Sequence, residues 1–453
     1  MARESKASPA RLAALDVVRA VRERGAYAQD LIASRIDASE LSPEDRAFAT
    51  RLVLGVVSSS GTLDEVIDRA LRSPSDVHDD VRDALRISTY EIVFLHKAPH
   101  AAVDQGVELV VSFAPQASRL ANAALHRIVE LSRDFPFGDP KTDLAALARS
   151  FAFPQWLAKR LIAELGPKDA VAFMQASNEP APLFVAVNAC RAEDAAVERA
   201  FERAGEVLEP AGAGGLAVPG CYRVPDGRSL LVPQIKQLIS QGKMLVSDAA
   251  SQLVAASVLP DEQPESLLEI GAGRATKTIL LQSAAQRAWG SQIPAYATLD
   301  NHEFKTKLLV ERAKTYGVQV AEPLTGDARR LEGVVGDRRF DEVFIDAPCS
   351  GLGTLRRHPE IRWRLKESSI ADFAEAQLAM LRAAAPHVAE GGVLAYATCT
   401  VAHEENADVV KAFLASEEGR GFRLAPIAGR SCVATRLCPD SEDAHFAARF
   451  LRC

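Results

Sequence analysis

The sequence predicts a multidomain chain: an all-α helical N-terminal domain, a small α/β connecting domain, and a C-terminal Rossmann-like α/β domain built on a doubly wound parallel sheet. Three observations predict it. From Ser8 to about Leu131 apolar residues recur three and four apart, as in Leu12, Leu15, Val17, Val18 and Val21, the stripe of successive amphipathic helices. Asp134-Phe-Pro-Phe-Gly138-Asp-Pro140 has the turn chemistry of a linker. From about Ser251 short apolar runs alternate with helix-compatible stretches, the rhythm of βαβ units with buried parallel strands. At 453 residues the chain exceeds what one core supports, and its 48% hydrophobic and 25% charged content is that of ordinary globular domains. The divisions are expected at 1–137, 138–240 and 241–453.

Each element has its own signal. Ser42-Pro43-Glu44-Asp45 supplies an N-cap, a proline at the first helical position and early acids ahead of Phe48, Leu52 and Val53. Pro99 and Pro115 separate later helices. The middle segment holds Phe153-Pro-Gln-Trp-Leu157, a strand-like Leu183–Val187 and a Gly/Pro-rich stretch between Pro210 and Gly227. Strands of the last domain are expected at Leu267–Ile270, Ala295–Leu299, Glu342–Ile345 and Val393–Tyr396. A helix capped by Ser368 or Ser369 carries Phe373, Gln377, Leu378 and Leu381 on one face, with Gly391-Gly392 as its stop before the next strand.

Bulk properties narrow the function. The N-terminus lacks the apolar core of a signal peptide and no run approaches a membrane span, so a cytoplasmic protein without a membrane partner is expected. Seven cysteines, an odd number, argue against a disulfide framework. Cys432 and Cys438 have no second close ligand pair, so no metal is expected. The net charge of −7 speaks against nucleic acid unless positive charge gathers locally, and residues 1–140 hold 17 Lys plus Arg against 21 Asp plus Glu. Between Thr354 and Lys366 it does gather: Arg356, Arg357, Arg362, Arg364 and Lys366 stand against Glu360 alone, with Trp363 among them. Arg356, Arg357, Arg362 and Trp363 are therefore the candidate RNA contacts, cations for phosphate and a ring for stacking on unpaired bases.

A nucleotide-type cofactor site is also legible. Ile270-Gly271-Ala272-Gly273 closes a strand ahead of the helix-compatible Ala275–Gln286, where bare backbone at a helix start can approach a ligand. Acids follow the next strands at Asp300, Asp327 and Asp346, at the sheet edge where such folds bind ligands. Asp300 can accept ribose hydroxyls and Asp327 an adenine amino group, although either alone is equally a helix cap. Position 276 is Thr, which breaks Gly-x-Gly-x-x-Gly, and no Gly-Lys-Ser/Thr occurs, so dinucleotide and triphosphate readings lose their support. S-adenosylmethionine is the expected cofactor, held by Gly271, Ala272, Gly273, Arg274, Ala275, Thr276, Lys277, Asp300, Asp327 and Asp346.

Asp346-Ala347-Pro348-Cys349-Ser350-Gly351-Leu352-Gly353-Thr354-Leu355-Arg356-Arg357-His358-Pro359-Glu360-Ile361-Arg362-Trp363 and Tyr396-Ala397-Thr398-Cys399-Thr400 resemble motifs four and six of the 5-methylcytosine RNA methyltransferases. Leu85–Leu95, Ala98–Val103 and Asn122-Ala123-Ala124-Leu125 resemble the NusB-type RNA-binding helical domain. The combination is that of the family's small-subunit ribosomal RNA type and spans nearly the whole chain. The resemblance implies that Cys399 adds to carbon 6 of a cytosine, that Asp346 hydrogen-bonds or protonates ring nitrogen 3, and that Cys349 serves product release. The chemistry explains the thiol, since carbon 5 is a poor nucleophile toward a methyl sulfonium until a group adds at carbon 6. Small-subunit ribosomal RNA with an unpaired or flipped-out cytosine is the implied substrate, and the protein is expected to act as a monomer. The other cysteines, 190, 221, 432, 438 and 453, are read as small buried hydrophobes.

The first motif departs from the family. Relatives read Asp-x-Cys-Ala-Ala-Pro-Gly-Gly-Lys-Thr, and this chain reads Glu269-Ile-Gly271-Ala272-Gly273-Arg274-Ala275-Thr276-Lys277-Thr278. Arg274 at the proline position either crowds the methionine end of the cofactor or pairs with its carboxylate, and the sequence leaves both open. Ala186-Val187-Asn188 and Ser247-Asp248-Ala-Ala-Ser251 also differ from the usual Arg-Val-Asn and Gln-Asp. The alternative function is a non-catalytic RNA-binding or ribosome-assembly protein with a degenerate cofactor site, against which stand both cysteines. An N-methyltransferase needs an Asn/Asp-Pro-Pro-aromatic site, which Asp346-Ala-Pro-Cys349 does not supply.

Overall fold

The structure, a computed structural model, describes residues 5–453. The chain forms two compact units, one of residues 1–179 and 355–367, the other of 180–354 and 368–453. The short helices Leu144–Ser150, Gln155–Leu165 and Pro167–Ala176, which the sequence groups with the connecting segment, thus belong to the first unit. Among the described residues no helix is long and apolar enough to cross a membrane.

The first unit is helical. Its larger helices are Pro9–Arg24, Pro43–Ala70, Asp79–Val93, Pro99–Val111 and Ser118–Leu131, and their apolar stripes meet in a core that includes Leu52, Leu63, Ile67, Leu85, Ile87, Leu109 and Leu125. The Ser42 cap forms as expected, its side-chain oxygen accepting from Asp45 N at 3.1 Å, worth about 1 kcal/mol. Pro43 and Pro99 sit in the first turns of their helices, where no backbone donor is lost.

The second unit carries two sheets. The smaller contains β1 (Phe184–Val187), β2 (Glu209–Ala213), β3 (Leu216–Arg223) and β4 (Met244–Val246) in the order β2-β3-β1-β4, all antiparallel. The Gly/Pro-rich stretch after Pro210 is therefore a β-hairpin, turned by Gly214 and Gly215 at φ +58° and +75°. Two adjacent glycines are the turn such a two-residue loop demands, because both central residues need positive φ.

The larger sheet contains β5 (Ser266–Ile270), β6 (Ala295–Asp300), β7 (Glu322–Thr325), β8 (Phe340–Asp346), β9 (Val388–Thr398), β10 (Phe422–Ala425), β11 (Val433–Ala434) and β12 (Phe446–Arg452). Its order is β10-β12-β9-β8-β5-β6-β7, with β11 beside β12. Strands β5 to β9 pair in parallel, as expected of a doubly wound sheet, whereas β12 joins β9 antiparallel and β10 pairs antiparallel with β12. The helix Ala249–Val258 and the helix Thr276–Trp289 cover the face that presents Leu267, Tyr296, Phe344 and Ala395.

Two expected helix signals are corrected. Gly391-Gly392 is not the stop of the helix, which ends at Ala384; the pair lies inside β9, where Gly391 has φ +74° and the register against β8 shifts. Glycine there accommodates an irregularity in pairing. Ser368 occupies the cap position of the helix Ser369–Ala384 but its side chain makes no capping bond.

Candidate active site

The strand order reverses between β8 and β5, so a crevice opens at their carboxyl ends. Gly271 leaves β5 with φ +82°, and a Cβ there would lie 2.2 Å from Asp346 O, so only glycine lets the loops after β5 and β8 pass this closely. Gly271 N donates to Leu299 O at 2.8 Å, which ties the loop to β6 as well. Gly273 N donates to Asp300 Oδ2 at 3.1 Å, and His302 N donates to Asp300 Oδ1 at 2.9 Å. Asp300 thus shapes the loop with part of its acceptor capacity. Asp327 caps a short helical turn, accepting from Arg329 N at 3.0 Å and from the Arg329 guanidinium at 2.8 Å. Those hydrogen bonds hold its carboxyl down at about 2.

Lys277 stands in the first turn of the helix Thr276–Trp289, and its Nζ donates to Asp346 Oδ2 at 2.7 Å. Burial pulls the ammonium down, but Asp346 and then Cys399 outweigh it and hold Lys277 above its ordinary value. Thr278 Oγ1 donates to Glu269 Oε2 at 2.6 Å, and Tyr296 OH donates to the same oxygen at 3.0 Å. Glu269 is fully buried, and burial pushes its carboxyl up to about 7 despite these two donors. Ala275, at the cap of the same helix, has φ +65°, a left-handed conformation that an L side chain rarely adopts.

The register of β8 and β9 sets the cysteines side by side. Asp346 pairs with Ala397, and Ala347 N donates to Ala397 O at 2.9 Å. Both strands then end, and Cys349 Sγ and Cys399 Sγ lie 3.3 Å apart. Cys399 N donates to Cys349 Sγ, also at 3.3 Å. The contact with Cys399, then burial, then the charges of Cys399 and Glu405 hold the Cys349 thiol well above its ordinary value. Gly353 fastens the end of this loop: its N donates to Cys399 O at 2.9 Å, and a Cβ would lie within 1.9 Å of Ala444 O. Asp346, Cys349 and Cys399 thus lie at the ends of neighbouring strands, and Lys277, which the sequence grouped with the cofactor set, joins them through Asp346.

The basic run is placed differently. Residues 355–367 pack in the helical unit. Arg362 is fully buried there, donating to Ala152 O at 3.2 Å, Asn178 Oδ1 at 2.8 Å and Ser177 O at 3.1 Å, with its guanidinium over the Phe153 ring. Trp363 Nε1 donates to Ser58 O at 2.7 Å, and its ring lies against Gly61. The expectation that Arg362 binds RNA is corrected, because its guanidinium is buried in the helical unit, whereas Trp363 is half-buried. Arg356 is buried and Arg357 half-buried. Asn188 and Asp248 are also structural, Asn188 Nδ2 donating to Gly242 O and Tyr316 O at 2.7 Å each, and Asp248 capping the helix Ala249–Val258. Of the remaining cysteines Cys221 is buried, its thiol pushed by burial up to about 12, whereas Cys453 is exposed, contrary to expectation, because it ends the chain beyond β12.

Sequence reading missed Glu405. It is fully buried and accepts from Ser350 N at 2.8 Å, from Ser350 Oγ and from Gln377 Nε2 at 3.0 Å. Its distance of six residues from Cys399 was the available signal, but an acid in a charged run reads as solvated.

Residues 256–450 match the family model described as 16S rRNA methyltransferase RsmB/F, residues 8–130 the NusB family, and residues 153–218 the RsmF/B-like ferredoxin-like domain. The probable ribosomal RNA small subunit methyltransferase B of Bacillus subtilis is 30% identical over 406 residues, 88% of this chain and 87% of that protein. The ribosomal RNA small subunit methyltransferase B of Klebsiella pneumoniae is 28% identical over 83% of each chain. Among solved structures, that of PH0851 superposes with a TM-score of 0.80 at 22% identity, covering 98% of this chain and 99% of the other.

Proposed function

The chain belongs to the ribosomal RNA small subunit methyltransferase B family, and from that premise we propose that it methylates carbon 5 of a cytosine in small-subunit ribosomal RNA through a covalent adduct at Cys399. The class is that of S-adenosylmethionine-dependent ribosomal RNA methyltransferases. The observation that carries the finer reading is the cluster itself: two thiols in contact beside a carboxylate and a buried lysine.

The crevice residues fit the cofactor. Gly271 keeps the crevice free of a side chain, Asp300 retains acceptor capacity for ribose hydroxyls, and Asp327 offers a carboxylate near the adjoining strand end. When bound, S-adenosylmethionine supplies the electrophilic methyl group.

The protein's own residues do the rest. The Cys399 thiolate adds to carbon 6, forming a carbon–sulfur bond and moving electron density toward ring nitrogen 3. Asp346, held by Lys277, relays a proton to that nitrogen and so neutralises the charge as it develops. Carbon 5 becomes an enamine carbon and takes the methyl group. Its proton then passes to solvent water, and the electrons of that bond expel Cys399 as thiolate. Cys349, in contact with the departing sulfur, serves this release. The target base must be unpaired or flipped out, because carbon 6 is inaccessible within a stack. One monomer holds all the groups named. Purified protein given labelled S-adenosylmethionine and unmethylated small-subunit ribosomal RNA forms 5-methylcytosine, and Cys399→Ala abolishes it; full activity in that variant would refute the mechanism.

A further inference from the structure

The two cysteines are chemically identical and touch each other, yet the proposed mechanism needs one to attack and the other to wait. Their surroundings are not alike. Cys399 couples electrostatically to the Lys277 ammonium. Cys349 couples instead to Glu405, a fully buried carboxylate on the stretch that follows Cys399.

Glu405 is also the knot between the two cysteine loops. Through Ser350 N and Oγ it holds the residue next to Cys349. Ser350 Oγ is in turn 2.7 Å from Thr400 Oγ1, the residue next to Cys399, and Thr400 also hydrogen-bonds Glu405. Gln377 Nε2 donates both to Glu405 Oε2 and to Pro348 O, which fixes the loop on its other side. The Glu405 backbone is anchored as well, its carbonyl accepting from Tyr396 OH at 2.6 Å. Burial pushes the Glu405 carboxyl above its ordinary value, and these donors work against that shift. A buried polar network of this density fixes geometry, and loss of its centre leaves several donors unpaired.

We propose that Glu405 is a positioning residue: its carboxylate locks Ser350 to Thr400 so that Cys349 and Cys399 stay in contact, and its charge bears on Cys349. The ionisable groups that interact with Cys349 are Cys399, Glu405 and Tyr396, whereas Lys277 interacts with Asp346, Cys399 and Glu269. Only Glu405 combines a negative charge with a direct hold on both loops. This assignment rests on the reading of Cys399 as nucleophile.

The test reads the thiols rather than turnover. The full-length protein is alkylated with iodoacetamide across a pH series, and each cysteine is followed by peptide mass mapping. Glu405→Gln, which keeps the size and removes the charge, lowers the pH midpoint of Cys349 labelling by about one unit; an unchanged midpoint in a folded variant overturns the charge role. Glu405→Asp keeps the charge but shortens the arm, so diamide oxidation of the two thiols to a disulfide slows several-fold; wild-type oxidation rates there overturn the positioning role. Should Glu405→Gln not fold, Ser350→Ala tests the same hold from the other side, with slower oxidation expected and an unchanged rate overturning it. If Cys399→Ala retains methyl transfer, the proposed function fails while the labelling result stands by itself.

Discussion

Lys277 Nζ and Asp346 Oδ2 lie 2.7 Å apart, so the lysine of the first motif grips the carboxylate of the fourth across the junction of β5 and β8. The sequence placed Lys277 with the cofactor set; the structure joins it to Asp346. Lys277→Met therefore leaves Asp346 without its cation, and kcat falls on the order of 10²-fold or more while cofactor affinity changes far less. Steady-state kinetics and cofactor titration check this. A pure loss of cofactor affinity at unchanged kcat would return Lys277 to the cofactor.

Glu269 makes stability depend on pH. Its folded-state carboxyl lies near 7, above the ordinary value of 4.5, so the native state holds a proton that the unfolded chain has released. The stabilising contribution is complete below the unfolded value and is lost as pH rises from about 4.5 to about 7, up to about 3 kcal/mol in all. Urea unfolding at intervals through that window shows the slope, and Glu269→Gln flattens it. The same slope in wild type and variant would assign it elsewhere.

Arg362 is expected to matter for folding. Burial pulls its guanidinium down to about 9, and its donors end on carbonyls and Asn178. Arg362→Ala leaves those acceptors unpaired and opens a space over Phe153, lowering stability by about 3 kcal/mol or more. Denaturant melts check this. A folded variant of normal stability that binds RNA more weakly would restore the original expectation.

Ala275 holds φ +65° at the start of the helix Thr276–Trp289. Ala275→Gly relieves a conformation that disfavours an L side chain by about 1 kcal/mol, partly offset by the freedom glycine gains in the unfolded chain. A small rise in thermal midpoint is expected, and a clear fall would show that the alanine methyl packs better than it strains.

The legible parts of the sequence were those with a strong local period or reactive chemistry. β5, β6, β8 and β9 are short apolar runs and were read at their places, and the motif acids and cysteines meet because all follow the carboxyl ends of neighbouring parallel strands. β7 was legible only from Asp327 after its end, because Glu322-Pro-Leu-Thr has neither apolar run nor alternation. Arg356 to Lys366 misled because spacing reports charge but not the tertiary contacts that bury it; Arg362 looks like a phosphate ligand until Ser177 and Asn178 are seen beside it. Glu405 stayed hidden for the converse reason, since a buried acid is written with the same letter as a solvated one.

The central claim is that two touching thiols divide attack and release. Cys349→Ala incubated with S-adenosylmethionine and unmethylated small-subunit ribosomal RNA is resolved by denaturing electrophoresis, beside Cys399→Ala and the double variant. A covalent protein–RNA adduct accumulating in Cys349→Ala, and in neither variant lacking Cys399, is the predicted result. An adduct that persists without Cys399, or methyl transfer at the wild-type rate in its absence, would contradict the account.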